Sequence, residues 1–448
     1  MTARLRGRAR ALAARIDAAT PAHRDRAVDA LRALAITGVI LGHWLVTALV
    51  LTRAGPGTAL PGAAGATAHA AGPLAGVALR DASPLATMPA LAPLSWIFQT
   101  LAVFFFVGGY AAARSCPASG RGYPGWLYRR LVRLSWPVLL LLGVWALAAT
   151  GLWLAGLPGP VLGTVLKLVL SPLWFLGVYA GLTALTPLAV ALVRRLGPAA
   201  AALSAAVVAG TDAVRFGLGG PAWAGWVNVA AGWLVPYLLG IAWARGAFRG
   251  RAAAVIMLGA GAAATAALVA WAGYPASMVG VNGAAVSNLN PPTLAAVTFG
   301  VAQAGLALLA AGPLRRMLRR PGPWAVVALA NLSAMTLFLW HQTAFITVNA
   351  AGLLAGRVPG LLTAPASPAW IAQRLAWLPV FAAVLAGLWL LFRGTEHAGG
   401  RPRGRRLAQL QHLVHRPRGY RPVRDQQHGA SRGGGEQVSR QLAGRRGV

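Results

Sequence analysis

Apolar runs of about twenty residues recur along this chain, and arginines gather at alternate ends of them. A run of that length matches the hydrocarbon core of a bilayer when it is wound as a helix. The runs fall near 29–51, 93–113, 131–155, 172–193, 197–216, 228–244, 253–273, 293–312, 326–349 and 370–392. Basic turns follow the even-numbered runs: Arg114 to Arg130, Arg194–Arg195, Arg245 to Arg251, and Arg315 to Arg320. The odd-numbered runs are followed by turns with few basic residues. That alternation is the positive-inside pattern of ten spans with both termini in the cytoplasm. The expected fold is therefore an all-α polytopic membrane protein, a bundle of about ten transmembrane helices.

Composition agrees with this reading. Of 448 residues, 57% are apolar and only 11% charged, where a soluble domain carries about 25% charged residues. The net charge of +33 would suit nucleic acid if it were spread over one face. Here the arginines sit at the ends of apolar runs and in the tail, so no nucleic-acid partner is expected; the partner is the lipid bilayer. Three regions are expected: a basic cytoplasmic segment over 1–28, the membrane domain over 29–392, and a basic tail over 393–448 too poor in apolar residues to build a core. The stretch 52–92, rich in Gly, Ala, Pro and Thr, reads as a loose external loop.

The chain has eight acidic residues and one cysteine, Cys116. A paired-carboxylate mechanism, an acidic metal cage and a cysteine-rich zinc site all lack material, so no metal is expected. Two intramembrane histidines remain, and ionisable groups inside spans mark functional sites by default. Arg32 and His43 are eleven residues apart, three turns plus roughly 20°, so they share one helix face with a rise of roughly 16 Å. His341 lies in the ninth run at a depth similar to that of His43, and the two imidazoles could converge. The plain structural alternative for each is a neutral histidine bonded to a neighbouring helix. Arg130 and Arg133 are three apart and share a face. With Arg129 they form a cationic cluster suited to phosphate, although ordinary topology-setting charge has the same look. Gly177 and Gly181 form a GxxxG pair that reads as a helix-packing signal. Gly259-Ala260-Gly261 superficially suggests a nucleotide-binding fingerprint but follows no strand, so small-residue helix packing is the better reading.

Several stretches taken in order resemble the acyltransferase-3 family of integral-membrane O-acyltransferases. The first run reads RAVDALRALAITGVILGH from Arg26 to His43. It is followed by FFFVGGY at 104–110, Arg130 and Arg133, WFL at 174–176, NPPT at 290–293 and LFLWHQT at 337–343. Gly108 stands where the family usually has serine, and Thr343 where it often has proline. The resemblance implies a bacterial cytoplasmic (inner) membrane enzyme of the cell envelope. Such an enzyme moves an acyl group, acetyl in the first instance, from cytoplasmic acyl-CoA to a hydroxyl of a glycan, lipid or small metabolite. On that footing His43 is the expected general base, with Arg32 and His341 beside it in the catalytic set. Arg129, Arg130 and Arg133 would hold the phosphates of the acyl-CoA donor. Asn331 and Ser333 are further candidates to orient the acceptor. The competing class is a transporter or flippase without chemistry, for which an internal repeat with paired broken helices would be expected.

Overall fold

The computed structural model describes residues 2–53, 77–117, 120–355 and 358–394. Most of the tail, from 395, and the middle of the first long loop, 54–76, lie outside the described residues. Ten helical segments among those described are long and apolar enough to cross a membrane, so the fold is the expected all-α polytopic bundle. Backbone polar groups have no water to bond in lipid, and a helix satisfies them within itself.

The N-terminal segment forms a helix, α1 (Thr2–Ala18), whose apolar Ala13 and Ile16 pack on Trp324, Ala325 and Ala328. Helix α2 (Arg26–Val46) is capped by Asp25, whose carboxylate accepts the Ala27 N–H at 3.1 Å. The apolar run continues to Leu51, but the helix stops at Thr47. The chain beyond it pairs as a strand, β1 (Ala48–Arg53), antiparallel to β2 (Val77–Ala82), with Ala48 opposite Ala82 and Arg53 opposite Val77. The loose loop expected over 52–92 is thus corrected where it is described: it holds this hairpin and short helical turns at Pro84–Thr87 and Pro89–Leu94.

The second span is broken. A turn at Ser95–Phe98 is separated from α3 (Leu101–Ser115) by Gln99 and Thr100. Helix α4 (Tyr123–Leu154) starts eight residues before its apolar run, because the arginine-bearing stretch 123–133 is itself helical. The fourth span is α5 (Gly159–Leu170) and α6 (Leu173–Ala184), interrupted at Ser171–Pro172 and followed by α7 (Thr186–Leu196). Then come α8 (Ala199–Asp212), α9 (Val227–Ala244), α10 (Arg251–Trp271) and α11 (Leu294–Met317). The expected single helix over 326–349 is two: α12 (Pro321–Leu332) and α13 (Ala334–Leu354), divided at Ser333. Helix α14 (Pro368–Phe392) opens with Ser367 as its cap and ends the described core. Helices α9, α11 and α13 are the most buried, whereas α4, α10 and α14 turn most of their residues outward.

Two helix pairs approach closely because glycine faces backbone. A Cβ on Gly240 would lie 1.9 Å from the Phe106 carbonyl oxygen, and one on Gly109 2.1 Å from that of Tyr237. A Cβ on Gly261 would lie 2.5 Å from the Ala302 nitrogen, so that packing expectation holds. A Cβ on Gly177 or on Gly181 would meet nothing within 4 Å outside its own helix; their spacing marks no close helix packing among the described residues.

One end of the bundle is tied together by charge. Asp25 takes Arg315 at 2.6 Å, Asp17 takes Arg26 at 2.7 Å, and Asp29 takes both Arg24 at 2.5 Å and Arg32 at 3.4 Å. The opposite end carries the hairpin and the 274–292 loop. Asn282 donates to Asp81 O at 3.1 Å and joins the loop to the hairpin, and the Trp96 indole donates to Ala276 O at 2.7 Å and joins it to the Ser95–Phe98 turn.

Candidate active site

His43 sits one turn before the end of α2, and His341 sits in the first half of α13. The two helices bring His43 Nδ1 and His341 Nε2 to 2.9 Å, with ring planes 17° apart. The expected convergence of the two imidazoles is therefore observed. His341 Nδ1 lies 2.5 Å from the Phe338 carbonyl oxygen. A carbonyl only accepts, so that nitrogen carries the hydrogen, and Nε2 of the neutral ring holds a lone pair. His43 must then donate its Nδ1–H to His341, which leaves Nε2 as the lone-pair nitrogen of His43. The partners around each ring fix its tautomer.

The pair is held by its neighbours. The Trp44 indole donates to the His341 carbonyl at 3.0 Å, and the Thr47 N–H donates to the His43 carbonyl at 3.0 Å. His341 is fully buried, while His43 lines a cavity of about 380 Å³. Phe98, Phe175 and Phe338 give that cavity apolar walls, and Gln99, Thr100 and Gln342 give it polar ones. Gln99 and Thr100 are the residues at which the second span breaks. Irregular backbone at this depth is tolerated where it lines a cavity and its groups find partners. Thr100 donates to Ala35 O at 2.7 Å, and Gln303 donates to Gln99 O at 2.5 Å.

The cavity reaches the end of the bundle that carries the hairpin. Asp81 of β2 and Lys167 of α5 stand there 2.9 Å apart, beside Asn282. Burial alone pushes the Asp81 carboxyl up, but Lys167 and Asn282 outweigh it and hold it below the usual carboxylate range. Sequence reasoning passed over this group. Lys167 is the single lysine of the chain, and that singularity was the available signal.

Residues 25–393 match the family model Acyl_transf_3, described as an acyltransferase domain. The chain belongs to the acyltransferase-3 family. No curated protein and no solved structure matches it. Family and fold together make this acyltransferase-3 protein a multi-pass membrane acyltransferase.

Its two departures from the family pattern have local explanations. A Cβ at Gly108 would stand 2.7 Å from the ring of Tyr179, which occupies the space a serine would need. Thr343 accepts the Trp145 indole N–H at 2.9 Å. The remaining expected residues do not gather at the cavity. Arg32 stays beside Asp29, three turns from His43. Asn331 donates to Asp29 O at 2.7 Å and to Val327 O at 3.0 Å, tying α12 to α2 at the charged end, and neither it nor Ser333 lines the cavity. Arg130 donates to Ser115 Oγ at 2.7 Å and to Ala111 O at 3.3 Å while stacking on Trp126; Arg129 and Arg133 are exposed. Asp212 is fully engaged, accepting from Asn228 at 2.9 Å, Tyr274 at 3.0 Å and the Leu294 N–H at 2.7 Å, and so anchors the start of α11.

Proposed function

We propose that this protein, in a bacterial cytoplasmic membrane, moves an acetyl group from cytoplasmic acetyl-CoA to a hydroxyl of a glycan, lipid or small-metabolite acceptor, with His43 as general base. The observation that carries this reading is the hydrogen-bonded chain from Phe338 O through His341 to His43, whose far end is a lone-pair nitrogen on a cavity-lining ring. His43 Nε2 takes the proton of the acceptor hydroxyl as its oxygen attacks the thioester carbonyl carbon. The positive charge that forms on His43 is shared along the bond to His341. The tetrahedral intermediate collapses with loss of the C–S bond, and the departing thiolate takes the proton back from His43. The products are an ester and free CoA thiol. The amide of Gln342, on the cavity wall beside the pair, is placed to donate to the oxyanion.

The acceptor enters from the Asp81–Lys167 end, where the cavity opens. The donor's phosphates meet Arg129, Arg130 and Arg133 at the other end, where guanidinium forks suit phosphate. The pantetheine arm passes Arg32 on its way to His43. The experiment uses membranes from cells making the protein, incubated with radiolabelled acetyl-CoA. Label should pass to an acceptor in step with release of CoA thiol. Membranes with abundant folded protein and no more transfer than membranes lacking it would contradict the proposal.

A further inference from the structure

Arg374 lies two turns into α14 and is completely buried. Its guanidinium stands 4.6 Å from the Trp370 ring, 5.3 Å from Phe345 and 5.6 Å from Phe381. Nη2 donates to the Thr47 carbonyl at 3.3 Å, while Nε and Nη1 are buried without a hydrogen-bond partner among the described residues. No carboxylate pairs with Arg374 among the described residues. A buried charge with one hydrogen bond and no counter-ion costs more than an apolar side chain of like volume would. The three aromatic faces offset only part of that cost. Packing alone therefore does not account for an arginine here.

Its contacts lead to both histidines. The Thr47 carbonyl that it binds belongs to the residue whose N–H closes α2 on the His43 carbonyl at 3.0 Å. Phe381 of its aromatic cage packs on Trp44 at 5.4 Å, and the Trp44 indole donates to the His341 carbonyl at 3.0 Å. We infer that Arg374 is a positioning residue for acyl transfer: it pins the end of α2 through Thr47 and, through the Phe381–Trp44 contact, keeps the His43 and His341 rings at hydrogen-bond distance. This rests on the reading of His43 as the base. A misplacement of about 1 Å at a reacting group can cost about a hundredfold in rate, so a residue that touches neither substrate can matter that much.

The test measures transfer of label from radiolabelled acetyl-CoA in native membranes for Arg374→Met, Arg374→Lys, His341→Gln and the Arg374→Met/His341→Gln pair. Arg374→Met should lower kcat by about a hundredfold with the KM for acetyl-CoA unchanged. Lysine, which keeps a donor for Thr47, should restore part of the rate. In the His341→Gln background, where the pair is already broken, Arg374→Met should cost little more. Wild-type kcat in Arg374→Met overturns the inference, as do two losses that simply multiply. If the methionine variant does not accumulate, the cycle is run with lysine: its partial loss of kcat should disappear in the His341→Gln background, and no loss at all, or a loss that simply multiplies there, overturns the inference. His43→Gln, measured alongside, separates the two claims. Wild-type turnover there removes the base itself, whereas an inactive His43→Gln with a fully active Arg374→Met removes only the role of Arg374.

Discussion

A histidine whose Nδ1 faces a carbonyl has little choice of tautomer, and His341 passes that constraint to His43. The chemistry of the site therefore depends on a backbone oxygen, that of Phe338, which no sequence motif exposes. The arginines present the opposite case. Arg129, Arg130 and Arg133 are easily found in the sequence, yet charge that sets topology and charge that binds phosphate look alike there. Arg130 has one side of its fork on Ser115 and Ala111. Replacing Arg130 and Arg133 together with alanine should raise the KM for acetyl-CoA. Each lost charge-assisted contact should cost about 1.5–3 kcal/mol, roughly tenfold to a hundredfold. An unchanged KM would assign the cluster to topology. Arg374 escaped sequence reading for a different reason: a single arginine near the start of an apolar run gives no sign of its surroundings, and only its burial marks it out.

Among the elements, the breaks carry more information than the spans. Apolar length gave away α2, α9, α10 and α11, since lipid leaves a spanning segment little alternative to a helix. The interruptions at Gln99–Thr100 and Ser333 were not legible; the break at Ser171–Pro172 coincides with the expected start of the fourth run at 172, and what the sequence did not disclose there was helix α5 before it. The break at Gln99–Thr100 depends on partners from other helices: Thr100 donates to Ala35 O of α2 and Gln99 O accepts from Gln303 of α11. Glycine spacing alone misled at Gly177 and Gly181, where a Cβ would meet nothing outside its own helix. That contrast is testable. Gly240→Ala sets a methyl against the backbone of α3, which cannot yield as a flexible side chain would. It should cost about 1–3 kcal/mol, read as a lower melting temperature in detergent. Gly177→Ala should leave that temperature unchanged, and equal losses in both would contradict the packing account.

The hairpin makes a second prediction at this scale. Asp81 has a folded pKa below its unfolded one, so its pairing with Lys167 contributes stability fully present above the unfolded value. That contribution disappears as pH falls through the lowered folded value. Protection of the β2 amides, taken relative to their intrinsic exchange rate at each pH, should accordingly stay high at neutral pH and fall below about pH 4, near the unfolded carboxylate value. Asp81→Asn should remove that pH step. A step of the same size in the variant would place its origin elsewhere.

At the scale of the whole molecule, ten spans and their alternating arginines were legible because bilayer thickness and charge asymmetry act on every segment alike. The cavity was not, since it is assembled from α2, the break before α3, α5, α6 and the 279–290 loop, which lie far apart in the chain. The arrangement places the charged end of α2 at one side of the bundle and the open cavity at the other, with His43 between them. In the proposed reaction, with donor and acceptor entering from opposite sides, the base belongs at such a meeting point. The most direct measurement is the turnover of His43→Gln per folded molecule, read as label passed from radiolabelled acetyl-CoA to acceptor in native membranes. Glutamine can still bond to His341 but cannot accept a proton near neutral pH. Turnover should fall by a factor of about 10²–10⁴, with acetyl-CoA binding and protein level retained; wild-type turnover would contradict the account.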